Sequence, residues 1–259
     1  MKRPAPHKSD RDPIPFLLLL PNMVTLAGMC LGLTSIRFAM DERFSTAVLL
    51  IFLAVLMDGL DGLLARRLRA TSNIGAELDS LSDFLCFGVA PGILMYQYSL
   101  TNIGSLGWVF VLVFATACCL RLARFNVMRD ETASLIDQAE GVDQSDRKHF
   151  TGVPAPAGAM LGLLPMFATQ AGLLSYNTPP LLVALWMGFV GLLMVSRLKT
   201  ISPKSLRIPR GLIVVLMFSL VIAIGVAFTR PWTLLVVLDL LYVLLLVQAI
   251  VRARGRLFS

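Results

Sequence analysis

Apolar runs of about 20 residues recur along nearly the whole chain, near 20–40, 44–65, 76–99, 105–126, 155–174, 179–197, 211–229 and 231–251. Each is long enough to cross the roughly 30 Å hydrocarbon layer of a bilayer as an α-helix. Polar residues collect in the short intervals between them. With 56% hydrophobic side chains and 15% charged ones, the chain is too apolar for an ordinary soluble domain. The pattern predicts an all-α, polytopic membrane helical bundle of about eight transmembrane helices, with both termini on one side. Residues 1–15, polar and carrying Pro4, Pro6, Pro13 and Pro15, read as a disordered or surface-lying tail. They are not read as a signal peptide, because the apolar run that follows continues through a full span without a small-residue cleavage site. Pro21 and Asn22 are expected to separate a short interfacial segment from the first crossing.

Charge fixes an orientation. In this eight-span arrangement all but three of the 23 Lys and Arg residues fall on one side, and only Arg37, Arg43 and Arg230 fall on the other. Cytoplasmic loops collect basic residues, so both termini are expected in the cytoplasm. The net charge of +7 then reads as topology and attraction to anionic lipid heads. It does not read as nucleic-acid binding, because no soluble basic face exists to carry it. Cys30, Cys86, Cys118 and Cys119 lie in apolar segments without C-x2-C spacing and read as reduced packing residues.

Against this background four carboxylates stand out. Asp58 and Asp61 are spaced i, i+3 near the end of the second span, and Asp79 and Asp83 are spaced i, i+4 in the third. Each pair shares a helix face, so two helices can aim four carboxylates at one point. An ionised carboxylate in a membrane helix costs roughly 2.5–3.5 kcal/mol on insertion scales and needs a compensating partner. Hard oxygen ligands without nearby His or Cys favour Mg²⁺, Mn²⁺ or Ca²⁺. Paired divalent ions are a common device for displacement at phosphorus. The alternative is a set of charges neutralised by arginines, as in a cation transporter with an intramembrane acidic site. Arg66, Arg67 and Arg69 follow the first pair, but no arginine lies between Asp79 and Asp83.

The full spacing D-x2-D-G-x2-A-R-x8-G-x3-D-x3-D, from Asp58 to Asp83, resembles the signature of the CDP-alcohol phosphatidyltransferases at every fixed position. The resemblance implies that Asp58, Asp61, Asp79 and Asp83 bind two divalent cations, Mg²⁺ or Mn²⁺. It also implies that Gly62, Ala65, Arg66 and Gly75 shape the CDP site and that Asp83 is the base. On this view residues 16–200 form the catalytic core and residues 201–259 a C-terminal transmembrane helix pair. The localisation implied is the inner (cytoplasmic) membrane, with the site facing the cytoplasm, and a homodimer is usual for the family. Physical chemistry runs in the same direction, since glycine allows close backbone approach and arginine offers fork-like hydrogen bonds to phosphate.

Two further segments, Arg121 to Asn126 and Phe150 to Pro156, resemble the bacterial and archaeal phosphatidylserine synthase branch. That implies CDP-diacylglycerol as donor and L-serine as acceptor; glycerol 3-phosphate, inositol phosphate and choline are the alternatives within the family. Arg121 and Arg124 share a helix face and can hold a serine carboxylate or a lipid phosphate, with Asn126 beside them, although positive-inside anchoring also explains them. Asn22 and Thr25, one turn apart, can face the nucleotide, and helix capping by Asn22 is the competing explanation. Residues 129–149 read as a solvated connector and possible lid. Asp239 stands alone in the last span and is expected to pair with Arg37 or to lie at a subunit contact.

Overall fold

The computed structural model describes residues 16–68, 70, 72–138, 150–151, 153–175, 178–196, 199–200 and 210–254. The tail before residue 16 and the basic stretch 201–209 lie outside them. The described chain is helical: α1 (Phe16–Met40), α2 (Phe44–Leu68), α3 (Asn73–Asp83), α4 (Ala90–Tyr98), α5 (Ser105–Gln138), α6 (Ala155–Gln170), α7 (Pro180–Val195), α8 (Arg210–Thr229) and α9 (Pro231–Arg254). A two-residue antiparallel pair, β1 (Phe150–Thr151) and β2 (Lys199–Thr200), joins the segments before α6 and after α7.

Five stretches are long and apolar enough to span a membrane: Leu17–Met40, Phe44–Leu68, Asn73–Tyr98, Ser105–Met128 and Pro231–Gln248. Their outward faces carry large exposed side chains such as Leu33, Leu49, Leu112 and Leu241. Water would not tolerate so continuous an apolar exterior, whereas lipid does. The protein is therefore a multi-pass membrane protein. Helices α6 and α7, expected as runs of about 20 residues, are each 16 residues long. The reason is local. Gly172 adopts φ 75°, and the Gly172 and Leu173 N–H groups turn back to the Thr169 and Ala168 carbonyls, closing α6 early. Pro179 and Pro180 then start α7, where a missing N–H costs nothing.

Two other expectations are corrected. Pro21 does not interrupt the first helix; α1 runs unbroken from Phe16 to Met40. Proline there removes only the bond to the Leu17 carbonyl, one turn from the helix start, and leaves the rest of the ladder intact. Asn22 is accordingly inside the helix and does not cap it. Residues 129–138 are not loop, because α5 continues to Gln138; this stretch contains Glu131, Ala133, Leu135 and Gln138 and neither Gly nor Pro, a composition that propagates helix. The rest of the anticipated connector, 139–149, lies outside the described residues.

Contacts fix how the helices run. Thr25 meets Asp61 and Ser35 meets Ala47, so α1 and α2 are antiparallel. Asn126 meets Ser80 while Cys118 packs on Gly88, so α5 runs antiparallel to the α3–α4 rod. Gly188 packs on Phe110 and Arg124 meets Val195, so α7 is parallel to α5. The start of α1 and of α3 and the ends of α2, α5 and α7 therefore gather at one end of the bundle. Midway along α1 close approach relies on a small residue: a Cβ on Gly32 would stand 2.6 Å from Cys86 Sγ, so α1 and the third rod touch backbone to side chain as membrane helices do.

Candidate metal and phosphate site

The third rod carries a feature that places the acidic pair. Immediately after Asp83 the helix widens into a π-turn, Phe84–Val89, and the Ala90 N–H bonds the Leu85 carbonyl. Pro91 supplies the cause, since it has no N–H for the Phe87 carbonyl and its ring crowds that group in a regular α-helix. Such turns shift the phase of a helix and occur often at functional sites. On the other side, Ser72 caps α3 by accepting from the Gly75 N–H at 3.0 Å, which sets where the helix begins and hence the facing of Asp79 and Asp83.

α2 and α3 bring the four aspartates together. Carboxylate oxygens of Asp58, Asp61 and Asp79 all lie within 4.8 Å of one another, and the Asp83 carboxyl approaches Asp58 to hydrogen-bonding distance. Together they line a cleft with Thr25, Gly28, Ala54, Ser82, Cys86 and Phe87. Asp61 is the most enclosed, at 3% exposure. The Thr25 hydroxyl donates to its Oδ2 at 2.6 Å and so fixes the orientation of that carboxylate from α1.

This donor set fits a divalent cation. Oxygens with mutual separations up to 4.8 Å can all lie about 2.0–2.5 Å from one ion, the range of Mg²⁺ and Ca²⁺ coordination. Among the described residues Arg121 is a cation whose field reaches Asp58 and Asp83. Arg66 and Arg67 are exposed at the end of α2 and are not among the residues that line the cleft.

The remaining sequence-predicted residues divide by position. Gly75 sits against α1, where an added Cβ would meet Asn22 Oδ1 at 2.8 Å and Ser72 Oγ at 3.0 Å; Asn22 and Gly75 are therefore direct neighbours. Gly62 lies under Arg66, whose Nη1 is 3.7 Å from the place its Cβ would occupy, and Ala65 is half-buried beside them. Arg121 and Arg124 are not equivalent. Arg121 faces the acidic cleft and stacks over Phe125 at 5.6 Å, whereas Arg124 Nη1 donates to the Val195 carbonyl at 2.7 Å and closes the end of α7. Asn126 Nδ2 donates to Ser80 Oγ at 2.9 Å, tying α5 to the residue next to Asp79.

Sequence reasoning missed Ser82 and Cys86, which line the cleft. Ser82 lies i, i+3 from Asp79 on the same helix face, so the acidic pair carried a signal for it. Cys86, i, i+4 from Ser82 and within 3.9 Å of its hydroxyl, continues the same face. Asp239 does not pair with Arg37, which instead bridges Asp41 at 3.3 Å on an exposed turn. Asp239 is 6% exposed inside the chain, too enclosed for a subunit contact, because its side of α9 turns inward with Val236 and Leu246.

A family model for "CDP-alcohol phosphatidyltransferase" matches residues 18–196, which include the whole cleft. The chain is similar to proteins named CDP-diacylglycerol–serine O-phosphatidyltransferase. That of Mycobacterium leprae is 36% identical over 228 residues, 87% of this chain and 72% of the relative. The Helicobacter pylori protein (strain 26695) is 33% identical over 220 residues, 85% of each. The one from the archaeon Methanocaldococcus jannaschii is 32% identical over 183 residues, 71% of this chain and 74% of the relative.

Proposed function

The chain belongs to the CDP-alcohol phosphatidyltransferase family, and on that premise we propose that it transfers the phosphatidyl group of CDP-diacylglycerol to the hydroxyl of L-serine, giving phosphatidylserine and CMP. The observation that carries the phosphoryl chemistry is the convergence of Asp58, Asp61, Asp79 and Asp83 from two helices on one cleft. The choice of serine rests on the similarity to serine transferases from bacteria and an archaeon over most of the chain. The cation-transporter alternative has no comparable support.

In this reading Asp58, Asp61, Asp79 and Asp83 hold two divalent ions, Mg²⁺ or Mn²⁺. Ions held by these carboxylates would supply neutralisation of the diphosphate charge and of the charge that develops on departing CMP. Thr25 keeps Asp61 oriented for that task. Gly62, Ala65, Arg66 and Gly75, with Asn22, border the CDP moiety. The serine oxygen bonds to the lipid-side phosphorus as the bond from that phosphorus to the CMP oxygen breaks. Asp83 takes the serine proton, for which it must keep one oxygen free. Arg121 faces the same cleft and receives the serine carboxylate, while Arg124 serves the fold.

The topology proposed with this function has eight crossings and both termini in the cytoplasm. The cleft opens toward the cytoplasmic face of the inner membrane, where the basic ends Arg66 and Arg67 meet anionic headgroups. The catalytic core is 16–200, close to the end of the matched family region, and the C-terminal helix pair lies beyond it. The active form is a homodimer.

The test is an acceptor panel. Purified protein in detergent with CDP-diacylglycerol and Mg²⁺ or Mn²⁺ should release CMP with L-serine and form phosphatidylserine. Equal or faster turnover with glycerol 3-phosphate, inositol phosphate or choline would move the assignment to another branch of the family.

A further inference from the structure

Helix α3 is 11 residues long, capped at its start by Ser72 and running at its end into the π-turn. A cap sets where a helix begins, but its roll against neighbouring helices is held by side chains along its length. That roll decides whether Asp79 and Asp83 face α2. Two side chains next to these carboxylates reach other helices. Ser82 Oγ donates to the Thr25 carbonyl of α1 at 3.4 Å, and Ser80 meets Asn126 of α5. Consecutive residues stand about 100° apart around an α-helix, so Ser80 and Ser82 reach out on opposite sides and the acidic face lies between them.

The Ser80 contact is the closer of the two. Asn126 Nδ2 donates to Ser80 Oγ at 2.9 Å, and Ser80 Oγ donates in turn to the Ala76 carbonyl at 3.1 Å. Asn126 Oδ1 is 3.2 Å from the same hydroxyl, so the amide faces it in either orientation. A serine that bonds back to the carbonyl four residues earlier is ordinary in a helix. An amide arriving from another helix is not, and in a membrane bundle such a bond joins helices that apolar contact alone does not orient. Neither Ser80 nor Asn126 lines the cleft. The pair stands beside the site, one residue from Asp79, whose carboxylate lies within 4.8 Å of those of Asp58 and Asp61.

We propose that Ser80 and Asn126 are positioning residues that hold Asp79 toward the cation site, Asn126 acting through Ser80 and not touching the acceptor. This rests on the divalent-metal reading given above. It also gives α5, the helix that carries Arg121, a fixed place relative to the metal ligands.

The test is calorimetric titration of Mn²⁺ into purified full-length variants in detergent. Ser80→Ala and Asn126→Leu, which keep the side-chain size nearly constant, should each weaken Mn²⁺ binding about tenfold, the lower end for loss of a bond that orients a metal ligand. The double variant should bind no more weakly than either single one, because both delete the same bond. Ser80→Thr keeps the hydroxyl and should bind Mn²⁺ as the unaltered protein does. The KM for L-serine at saturating Mn²⁺ should stay close to that of the unaltered protein in every case. Arg124→Ala, which breaks a different α5 contact, should melt lower with its Mn²⁺ affinity kept; an equal loss there would make the effect a general loosening of α5 and overturn the proposal. Unchanged Mn²⁺ affinity in both single variants, or losses that multiply in the double, would overturn it as well. A serine KM raised in Asn126→Leu but not in Ser80→Ala would make Asn126 an acceptor contact and overturn it too. Failure of the metal reading appears separately, as CMP release from the unaltered protein that ignores EDTA, and removes the proposal with it.

Discussion

Thr25 and Asp61 come from different helices, yet the threonine hydroxyl stands 2.6 Å from the aspartate Oδ2 in a place where both are buried. Asp61 faces a cluster of like charges, and without an external donor its carboxylate would be free to rotate away from them. The contact explains why α1 belongs to the site although it contributes none of the acidic residues. It also separates holding a ligand from being one.

Replacing Thr25 by Val keeps the shape and removes the donor. Loss of a hydrogen bond to a ligating group typically costs 10–100-fold in metal affinity. Thr25→Val should therefore raise the Mg²⁺ or Mn²⁺ concentration for half-maximal CMP release by about tenfold or more. Turnover at saturating metal should fall much less. A metal titration of initial rates checks this, and an unchanged midpoint would return Thr25 to packing.

Asp58→Asn, Asp61→Asn, Asp79→Asn and Asp83→Asn should each reduce turnover by at least about 100-fold, since Asn preserves size but not the charge that binds a hard cation. Asp83→Asn should differ from the rest by retaining CDP-diacylglycerol binding and at least one metal, because its task includes taking a proton. Calorimetric titration of metal into each variant distinguishes the two roles. Loss of both metals from Asp83→Asn would make it a ligand first.

Removal of divalent ions with EDTA should stop CMP release, and Mg²⁺ or Mn²⁺ should restore it. The melting temperature should also fall on chelation, because a bound cation offsets the repulsion among the Asp58, Asp61 and Asp79 carboxylates, whose oxygens lie within 4.8 Å of one another. Thermal unfolding in detergent with and without metal measures this effect.

Arg121 and Arg124 should separate cleanly. Arg124→Ala removes the donor to the Val195 carbonyl and should lower the melting temperature, with about 1–3 kcal/mol of destabilisation and a near-normal serine KM. Arg121→Ala should raise the serine KM at least about tenfold, since it removes a charge-assisted bond to the acceptor. Steady-state kinetics alongside thermal melts of both variants supply the comparison. An equal effect on serine in the two would contradict the division of labour.

Gly75→Ala tests the α1–α3 contact. Its Cβ would press on Asn22 Oδ1 at 2.8 Å and on the capping Ser72 Oγ at 3.0 Å. Overpacking of this kind costs about 1–3 kcal/mol, and here it falls on the helix start that orients Asp79. The variant should melt lower and show a raised KM for CDP-diacylglycerol. Asn22→Ala combined with Gly75→Ala should recover part of the stability by relieving the closer contact.

The sequence by itself determined which carboxylates come together. Carboxylates at i, i+3 and i, i+4 in apolar helices must share faces, so Asp58, Asp61, Asp79 and Asp83 were readable as one acidic cluster before any fold was known. The helical spans were readable for the same reason, because their apolar runs are long and their signals local. Tertiary structure decided what depends on contacts between distant segments. It oriented Asp61 through Thr25, divided Arg121 from Arg124 although they share a face, and turned the α9 face bearing Asp239 inward. It also decided where helices end, since the closure at Gly172 and the persistence of α1 through Pro21 depend on backbone hydrogen bonds that residue type alone leaves open. Hydrophobic pattern fixes which segments enter the bilayer; only packing fixes which side chains meet there, because in lipid the apolar signal is the same on every face.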